Sequence, residues 1–446
     1  MPFQDIAGTG ERYALVCFDK KGVERSDDPD ASGGKLSGRV IEDLKTGAYT
    51  SVFLFSHGWK GDIPAAVRQY DKWIKAMIDQ LSDREKMSSI IPGFKPYWIG
   101  LHWPSQPWGE EEFAAGDGSF DAPAAPLAEI QEAYLARFGE DPEIRQALET
   151  IFQHARKDAA ATEFPDIVRE AYLKLHKALG LAEGASAGAA PGADNPEFDP
   201  NVFIESDDVS FGGFNIGGIL SPLRQLSFWL MKKRANTIGE GGLHDFLVRM
   251  MNAAPNARFH LMGHSFGCIV VSSMIGGPAG KASLPRPVDS MALVQGALSL
   301  WSYCDDIPHQ RGTPGYFREI RGRKKVRGPI ITTRSKFDTA VGRFYPLGVR
   351  VTGDVAFDPE ELPKFGGVGT FGLRGLSEVE STDESMLPKD KEYAFRPGVI
   401  HNLKSDEYIR LKEGVSGAHG DIAGPEVAHA IWQAAIAGAK EKGIGS

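Results

Sequence analysis

The sequence predicts an α/β fold, with a mostly parallel central sheet covered by helices on both faces and a large, mainly helical insertion. Three observations predict it. Short apolar runs at 13–18, 51–55 and 97–102 alternate with stretches of helical period, which is the rhythm of a parallel sheet. Residues 258–275 pass from an apolar strand through a glycine-flanked serine into an apolar helix. From 107 to 240 the alternation stops. At 446 residues the chain is longer than one compact core usually needs, so the expected organisation is a core in two parts, 1–106 and 241–446, split by an insertion at 107–240.

The elements follow in order. Tyr13 to Phe18 reads as a short buried strand, and Asp27 to Gly34 as a polar loop without the closing glutamate of a calcium loop. Ser51-Val52-Phe53-Leu54-Phe55 is an apolar strand running into His57-Gly58-Trp59. Asp62 then caps a helix with Pro64 in its first turn, and Val67, Tyr70, Trp73, Ile74, Met77, Ile78 and Leu81 form its apolar face. The next strand, 97–102, stops at Trp103-Pro104. Residues 125–180 are almost wholly helix-forming, with breaks near 139–142 and 164–165, and 182–200 reads as a flexible linker or surface loop. A glycine-rich apolar stretch, 209–220, leads into a helix crowded by Leu223, Leu226, Phe228, Trp229, Leu230 and Met231. Beyond it come a helix at 242–251, the strand and helix around Ser265, strands at 288–298 and 329–333, and a closing helix at 426–437.

Composition narrows the function class. Apolar residues at 42% and charged residues at 24% describe an ordinary globular chain. A net charge of −9 argues against a nucleic-acid partner, which wants a basic face. The basic run Arg318 to Arg327 is local and reads as a solvated loop. Three separated cysteines, Cys17, Cys268 and Cys304, fit a reducing compartment, and neither a secretory signal nor a spanning helix is read, so the expected location is cytoplasmic. No paired-cysteine or H-E-x-x-H pattern offers a metal, no phosphate-cradling glycine loop follows a strand, and no cofactor is expected.

The chemistry concentrates on Gly263-His264-Ser265-Phe266-Gly267. A G-x-S-x-G pattern alone is weak in a chain with 52 glycines, and a decoy stands at Gly184-Ala185-Ser186-Ala187-Gly188 with no strand before it and no helix after it. The copy at 263–267 has both, which is the build of a nucleophile elbow. Small residues are needed at Gly263 and Gly267 because strand and helix approach closely around a strained turn. On this elbow and on His57-Gly58-Trp59 the chain resembles the α/β-hydrolase superfamily, on its esterase and lipase side.

The resemblance covers about 1–106 and 241–446; residues 107–240 have no counterpart in it and are read as a cap inserted into the core, the alternative being an ordinary second helical domain with no role at the site. The resemblance implies that Ser265 is the nucleophile, and that acid and base follow it in chain order on loops at the carboxyl edge of the sheet. Asp338, in the polar loop after the strand 329–333, is the preferred acid, with Asp305 and Asp306 as rivals. Of the histidines downstream, His419 lies in a glycine-rich loop before the closing helix and is the expected base. His309 precedes the acid, His401 sits in an extended segment and His429 falls in the closing helix. Asp421 would hold the His419 loop. The oxyanion donors implied are the backbone N–H groups of Phe266 and Trp59, with Gly58 permitting the turn and His57 bracing it.

The expected function is hydrolysis of carboxylic esters, small or lipid, through an acyl-enzyme. Whether 211–234 lines an acyl pocket, acts as a lid or simply makes the insertion's own core stays open, as does peripheral membrane contact through it. The alternative function is a non-catalytic member of that superfamily whose apolar insertion binds a membrane or a protein.

Overall fold

A computed structural model describes residues 3–26, 32–59, 63–105, 126–157, 163–182, 186–203, 218–344, 362–411 and 417–440. Their contacts separate two compact units. One holds the described residues within 1–105, 234–342 and 366–446, and the other those within 106–233 and 343–365.

The first unit is built on a nine-stranded sheet in the order β1-β2-β4-β3-β5-β6-β7-β9-β8. Its strands are β1 (Phe3–Asp5), β2 (Arg12–Cys17), β3 (Ser51–Ser56), β4 (Pro96–His102), β5 (Arg258–His264), β6 (Ser290–Val294), β7 (Ile330–Arg334), β8 (Ser381–Ser385) and β9 (Ile400–Lys404). Only β1 runs antiparallel to its neighbour; every other pairing is parallel. All six residues of β3 and all five of β6 are buried, the continuous apolar run expected of a strand covered on both faces.

Helices α1 (Leu36–Thr46), α2 (Ile63–Ile78) and α3 (Leu81–Ile90) precede the insertion. On α2 the buried residues Ala66, Tyr70, Trp73, Ile74, Met77 and Ile78 recur at threes and fours, so one stripe faces the sheet. The expected stripe ran on to Leu81. That residue instead opens α3 and is 65% exposed, because the chain breaks at Asp79-Gln80 and the period restarts. Asp62, the expected cap, lies outside the described residues.

Around β5 lie α8 (His244–Ala253), which precedes it, and α9 (Gly267–Gly276), which follows it, and the closing helix is α10 (Pro425–Lys440). Phe53, Trp98, Met262 and Ile331 share one apolar cluster with Trp73, Met77 and Trp432, so α2, α3 and α10 cover that face. Trp432 has no exposed surface and sets its ring edge-on to Phe53 at 4.9 Å, and its indole N–H donates to the Met77 carbonyl at 2.8 Å. Burying such a ring is worth about 2–3 kcal/mol. The intervening side chains, Val52, Leu54 and Leu261, alternate to the opposite face, which α1, α8 and α9 cover.

In the second unit α4 (Leu127–Phe138), α5 (Pro142–Ala155) and α6 (Asp166–Ala178) follow one another with breaks at the expected places. Asp141 accepts a hydrogen bond from the Glu143 N–H at 2.9 Å and starts α5 with Pro142 at its first position. The helix α7 (Ser221–Ile238) carries the apolar crowd, with Leu223, Leu226, Phe228, Trp229 and Met231 buried. Trp229 lies edge-on to Phe198 and Phe203, each at 5.7 Å.

Residues 182–200, expected as a flexible linker, differ from that expectation where they are described. Asp194 and Asn195 are buried there, and Asp194 pairs with Lys232 of α7 at 2.6 Å. The Ala/Gly/Pro composition suggested mobility, whereas small residues here let a turn-rich segment pack closely on a helix. Burial lowers the Lys232 pKa, and the Asp194 charge opposes that shift. Among the described residues, no helix is long and apolar enough to cross a membrane.

Candidate active site

The parallel strands end on one edge, and the predicted residues lie in the loops that leave it. Ser265 follows β5 directly, with φ at 54°, in the left-handed region that side chains other than glycine seldom occupy. Such a conformation costs on the order of 1–3 kcal/mol and persists only where surrounding structure holds it. Here the Ser265 N–H donates to the Val294 carbonyl at 3.1 Å, and its own carbonyl accepts from Ala297 and Cys268, both at 3.1 Å. A Cβ on Gly267 would collide with the backbone carbonyls of Ser56 and His57, and one on Gly263 with the backbone of Gly267 and Cys268. The two glycines are therefore dictated by close approach of strand and helix. The decoy has no such setting: Ser186 stands at the head of a run of turns, and Gly184 and Ala185 lie outside the described residues.

Asp338 and His419 meet although they are far apart in sequence. His419 Nδ1 donates to Asp338 Oδ2 at 2.8 Å, with the carboxylate fully buried and the imidazole 15% exposed. An isolated antiparallel bridge between Asp338 and Gly417, and a hydrogen bond from the Ala418 N–H to the Phe337 carbonyl at 2.8 Å, hold the two loops together. Asp338 also caps the short helix Thr339–Phe344, its Oδ1 accepting from the Val341 N–H at 3.0 Å, so capping and pairing use different oxygens. Because Nδ1 faces a carboxylate it carries the proton, which leaves Nε2 as the basic nitrogen.

His264 ties this loop to the elbow. Its Nε2 donates to the His419 carbonyl at 2.8 Å, and its ring stands 4.7 Å from the His419 ring. Among the described residues no hydrogen bond joins Ser265 Oγ to His419. Asp421 accepts from the N–H groups of Arg410 and Leu411 at 2.9 and 2.8 Å and so holds the loop.

Gly58 lies against the serine. A Cβ built on it would stand 2.5 Å from Ser265 Cβ and 3.2 Å from Oγ, so the backbone after β3 passes directly over the hydroxyl. His57 is fully buried and stacked on Trp103 with 3° between the ring planes. Its Nδ1 donates to the Gly58 carbonyl at 2.7 Å and its Nε2 accepts from the Trp103 N–H at 3.4 Å, which occupies both nitrogens in bracing the turn. The His57 N–H in turn donates to the Tyr70 hydroxyl at 2.7 Å. Phe266 stands immediately before the first residue of α9, and its ring is 5.7 Å from that of Trp59.

No protein-family model, curated protein or solved structure matches the chain.

The rival residues are engaged elsewhere. Asp305 pairs with Arg318 at 3.2 Å and with Arg321, while Asp306 pairs with Arg311 at 3.0 Å. These ion pairs lower both carboxyl pKa values, although partial burial opposes the shift at Asp305. Of the basic run, Arg323 pairs with Glu319 at 2.6 Å and Arg327 with buried Asp289. Lys325 departs from a solvated role: it is buried, donates to the carbonyls of Gly276 and Gly280 at 3.0 and 3.2 Å, and burial lowers its pKa to about 8. His401 is held on β9 by Glu384 at 2.6 Å. His429 pairs with Asp83 at 2.7 Å.

Sequence reasoning missed Gln295. It lies at the end of β6, is fully buried and donates from Nε2 to Asp338 Oδ2 at 2.9 Å. A polar residue closing an apolar strand was the only local sign of it. Among the described residues no cluster of three or more His, Cys, Asp or Glu side chains is placed to hold a metal ion.

Proposed function

We propose that the chain is a serine hydrolase of the α/β-hydrolase type that cleaves carboxylic esters through an acyl-enzyme intermediate. One observation supports the reading: a buried carboxylate, Asp338, pairs with His419, whose backbone carbonyl accepts from His264, the neighbour of a serine held in a left-handed turn between strand and helix. Ser265 Oγ attacks the ester carbonyl while His419 Nε2 takes its proton. Asp338 stabilises the imidazolium through its hydrogen bond to Nδ1. The oxyanion is held by the backbone N–H groups of Trp59 and Phe266, and His419 returns the proton to the leaving alkoxide. Water then repeats the sequence and releases the acid.

Residues 107–240 act in this reading as a cap. Burial of Leu223, Leu226, Phe228, Trp229 and Met231 supports an apolar core for that segment over a membrane-contacting surface, and 211–217 lie outside the described residues. The rings of Trp59 and Phe266, 5.7 Å apart, belong to the residues whose N–H groups hold the oxyanion in this reading and favour an apolar acyl group. A cytoplasmic site of action belongs to the same proposal, supported by Cys17, Cys268 and Cys304, none of them in a disulfide among the described residues.

The test compares wild type with Ser265→Ala. Wild type is expected to hydrolyse p-nitrophenyl butyrate and to react with a fluorophosphonate probe, and the substitution to lower both by at least about 10³-fold. Equal rates in the two proteins would overturn the reading.

A further inference from the structure

The position of Gln295 behind the acid points to a role that none of the sequence motifs contains. We propose that Gln295 is a positioning residue of the catalytic relay, holding the Asp338 carboxylate in the orientation that His419 requires; the proposal rests on the serine-hydrolase reading. Two independent observations carry it, one of hydrogen bonding and one of backbone conformation.

Every polar atom of the Gln295 side chain is engaged. Nε2 donates to Asp338 Oδ2 at 2.9 Å and to the Gly369 carbonyl at 3.4 Å. Oε1 accepts from the Thr333 hydroxyl at 2.9 Å, and that hydroxyl accepts the Gln295 N–H at 2.9 Å. Two acceptors on one side and a hydroxyl proton on the other settle the orientation of the amide, so that the donor faces the carboxylate. Asp338 Oδ2 then receives two hydrogen bonds, one from His419 and one from Gln295, while Oδ1 takes the Val341 N–H. A carboxylate accepting three donors in a buried site is fixed in orientation and cannot rotate away from the histidine.

The backbone adds the second observation. Gln295 has φ at 46°, a left-handed conformation for a residue that is not glycine, at the end of the strand next to the one that delivers Ser265. Asn and Asp adopt it more readily than Gln, and strain of this kind is retained where neighbouring structure requires a particular side chain in a particular place. The approach of Gly369 is part of that requirement. A Cβ there would stand 2.9 Å from both Asp338 Oδ2 and the Gln295 carbonyl carbon, so the strand end, the acid loop and the glycine form one fitted contact.

The experiment uses the full chain as wild type, Gln295→Leu and Gln295→Glu, with thermal melting to verify folding. The rate of fluorophosphonate labelling and the kcat and KM for p-nitrophenyl butyrate are read from pH 5.5 to 9.5. Gln295→Leu is expected to lower kcat and the labelling rate about 30- to 100-fold with KM within about twofold, the cost of a displaced catalytic group. Gln295→Glu supplies the diagnostic. Its carboxyl donates to Asp338 while protonated, so the rate relative to wild type stays within about fivefold at low pH and falls toward that of Gln295→Leu as pH rises. A residue that merely fills space would not give this pH-dependent rescue. Gln295→Leu labelling within twofold of wild type, or a Gln295→Glu to wild-type ratio independent of pH, overturns the proposal. If Gln295→Leu does not fold, the Gln295→Glu profile decides. Wild type that fails to label overturns the serine-hydrolase reading instead, and is thereby distinguishable.

Discussion

Two histidine–carboxylate pairs lie close together in the chain and differ in what the second ring nitrogen faces. His419 donates from Nδ1 to Asp338 at 2.8 Å, and its Nε2 makes no hydrogen bond among the described residues. His429 bonds from Nδ1 to Asp83 at 2.7 Å, and its Nε2 meets the Lys391 carbonyl at 2.7 Å. The second ring has acceptors on both sides, so it is satisfied only when both nitrogens carry protons. Burial by itself lowers the His429 pKa, but the hydrogen bonds to Asp83 and to the Lys391 carbonyl raise it more, and the net shift is upward. The same pair of side chains thus makes a clamp in one place and, in the proposed reading, an oriented base in the other. The clamp sits on α10 and ties it to α3, with Gln433 donating to Asp83 Oδ1 at 2.7 Å. The His419 pair sits on a loop at the strand ends, where in the proposed mechanism its Nε2 takes the serine proton.

Removing one carboxylate at a time tests that contrast most severely. Asp338→Asn is expected to lower the fluorophosphonate labelling rate about 10³- to 10⁴-fold, since it disturbs the tautomer of the base. Asp83→Asn should leave the rate within about threefold while lowering the melting temperature by several degrees. Comparable rate losses from the two would erase the distinction. Next in size is Gly58→Ala, which drives a methyl group into Ser265 and should cost about 10²-fold in kcat for p-nitrophenyl butyrate, with unfolding less affected.

The clamp has its own signature in stability. A histidine whose folded pKa lies above its ordinary value near 6.5 contributes stability that is complete below that value and is lost as pH rises through the folded pKa. Urea unfolding of wild type and of the doubly substituted Asp83→Asn, His429→Gln chain should therefore differ most below pH 6.5, by about 2 kcal/mol, and converge toward pH 9. A difference that grows with pH would mean that His429 is neutral in the folded protein. The smallest expected effect is that of Asp305→Asn or Asp306→Asn. Their partners are arginines and their carboxylates are partly exposed, so hydrolysis rates should stay within about twofold of wild type.

Much of the architecture was legible because it is written in local periodicity. The alternation of strand and helix from β2 to β7, the breaks between α4, α5 and α6, and the elbow itself are all patterns within a short window of residues. The strand β8 was not legible. Its Ser-Thr-Asp-Glu-Ser carries no apolar residue, and it is extended only because it pairs in register with β9, Ser381 opposite Ile400. Residues 186–200 misled in the other direction. Their composition reads as a linker, yet burial of the Lys232–Asp194 pair depends on a helix that follows much later in sequence.

The site divides along the same line. Ser265, with its glycines at 263 and 267, could be read from sequence because a strained turn between strand and helix admits few residue types. The sequence favoured Asp338 over Asp305 and Asp306 only by its place after the strand 329–333, since all three are aspartates in polar loops after strands; in the structure arginines meet two of them and an imidazole meets the third. Gln295 was invisible for a similar reason. Its function, if the relay is as proposed, lies in a hydrogen bond to a residue on another loop, and no period or spacing along a chain encodes a contact of that kind. Local sterics and the burial of apolar faces act between neighbours and leave a pattern in the chain. Charge pairing and hydrogen bonding between distant loops act only after the sheet has brought its strand ends to one edge.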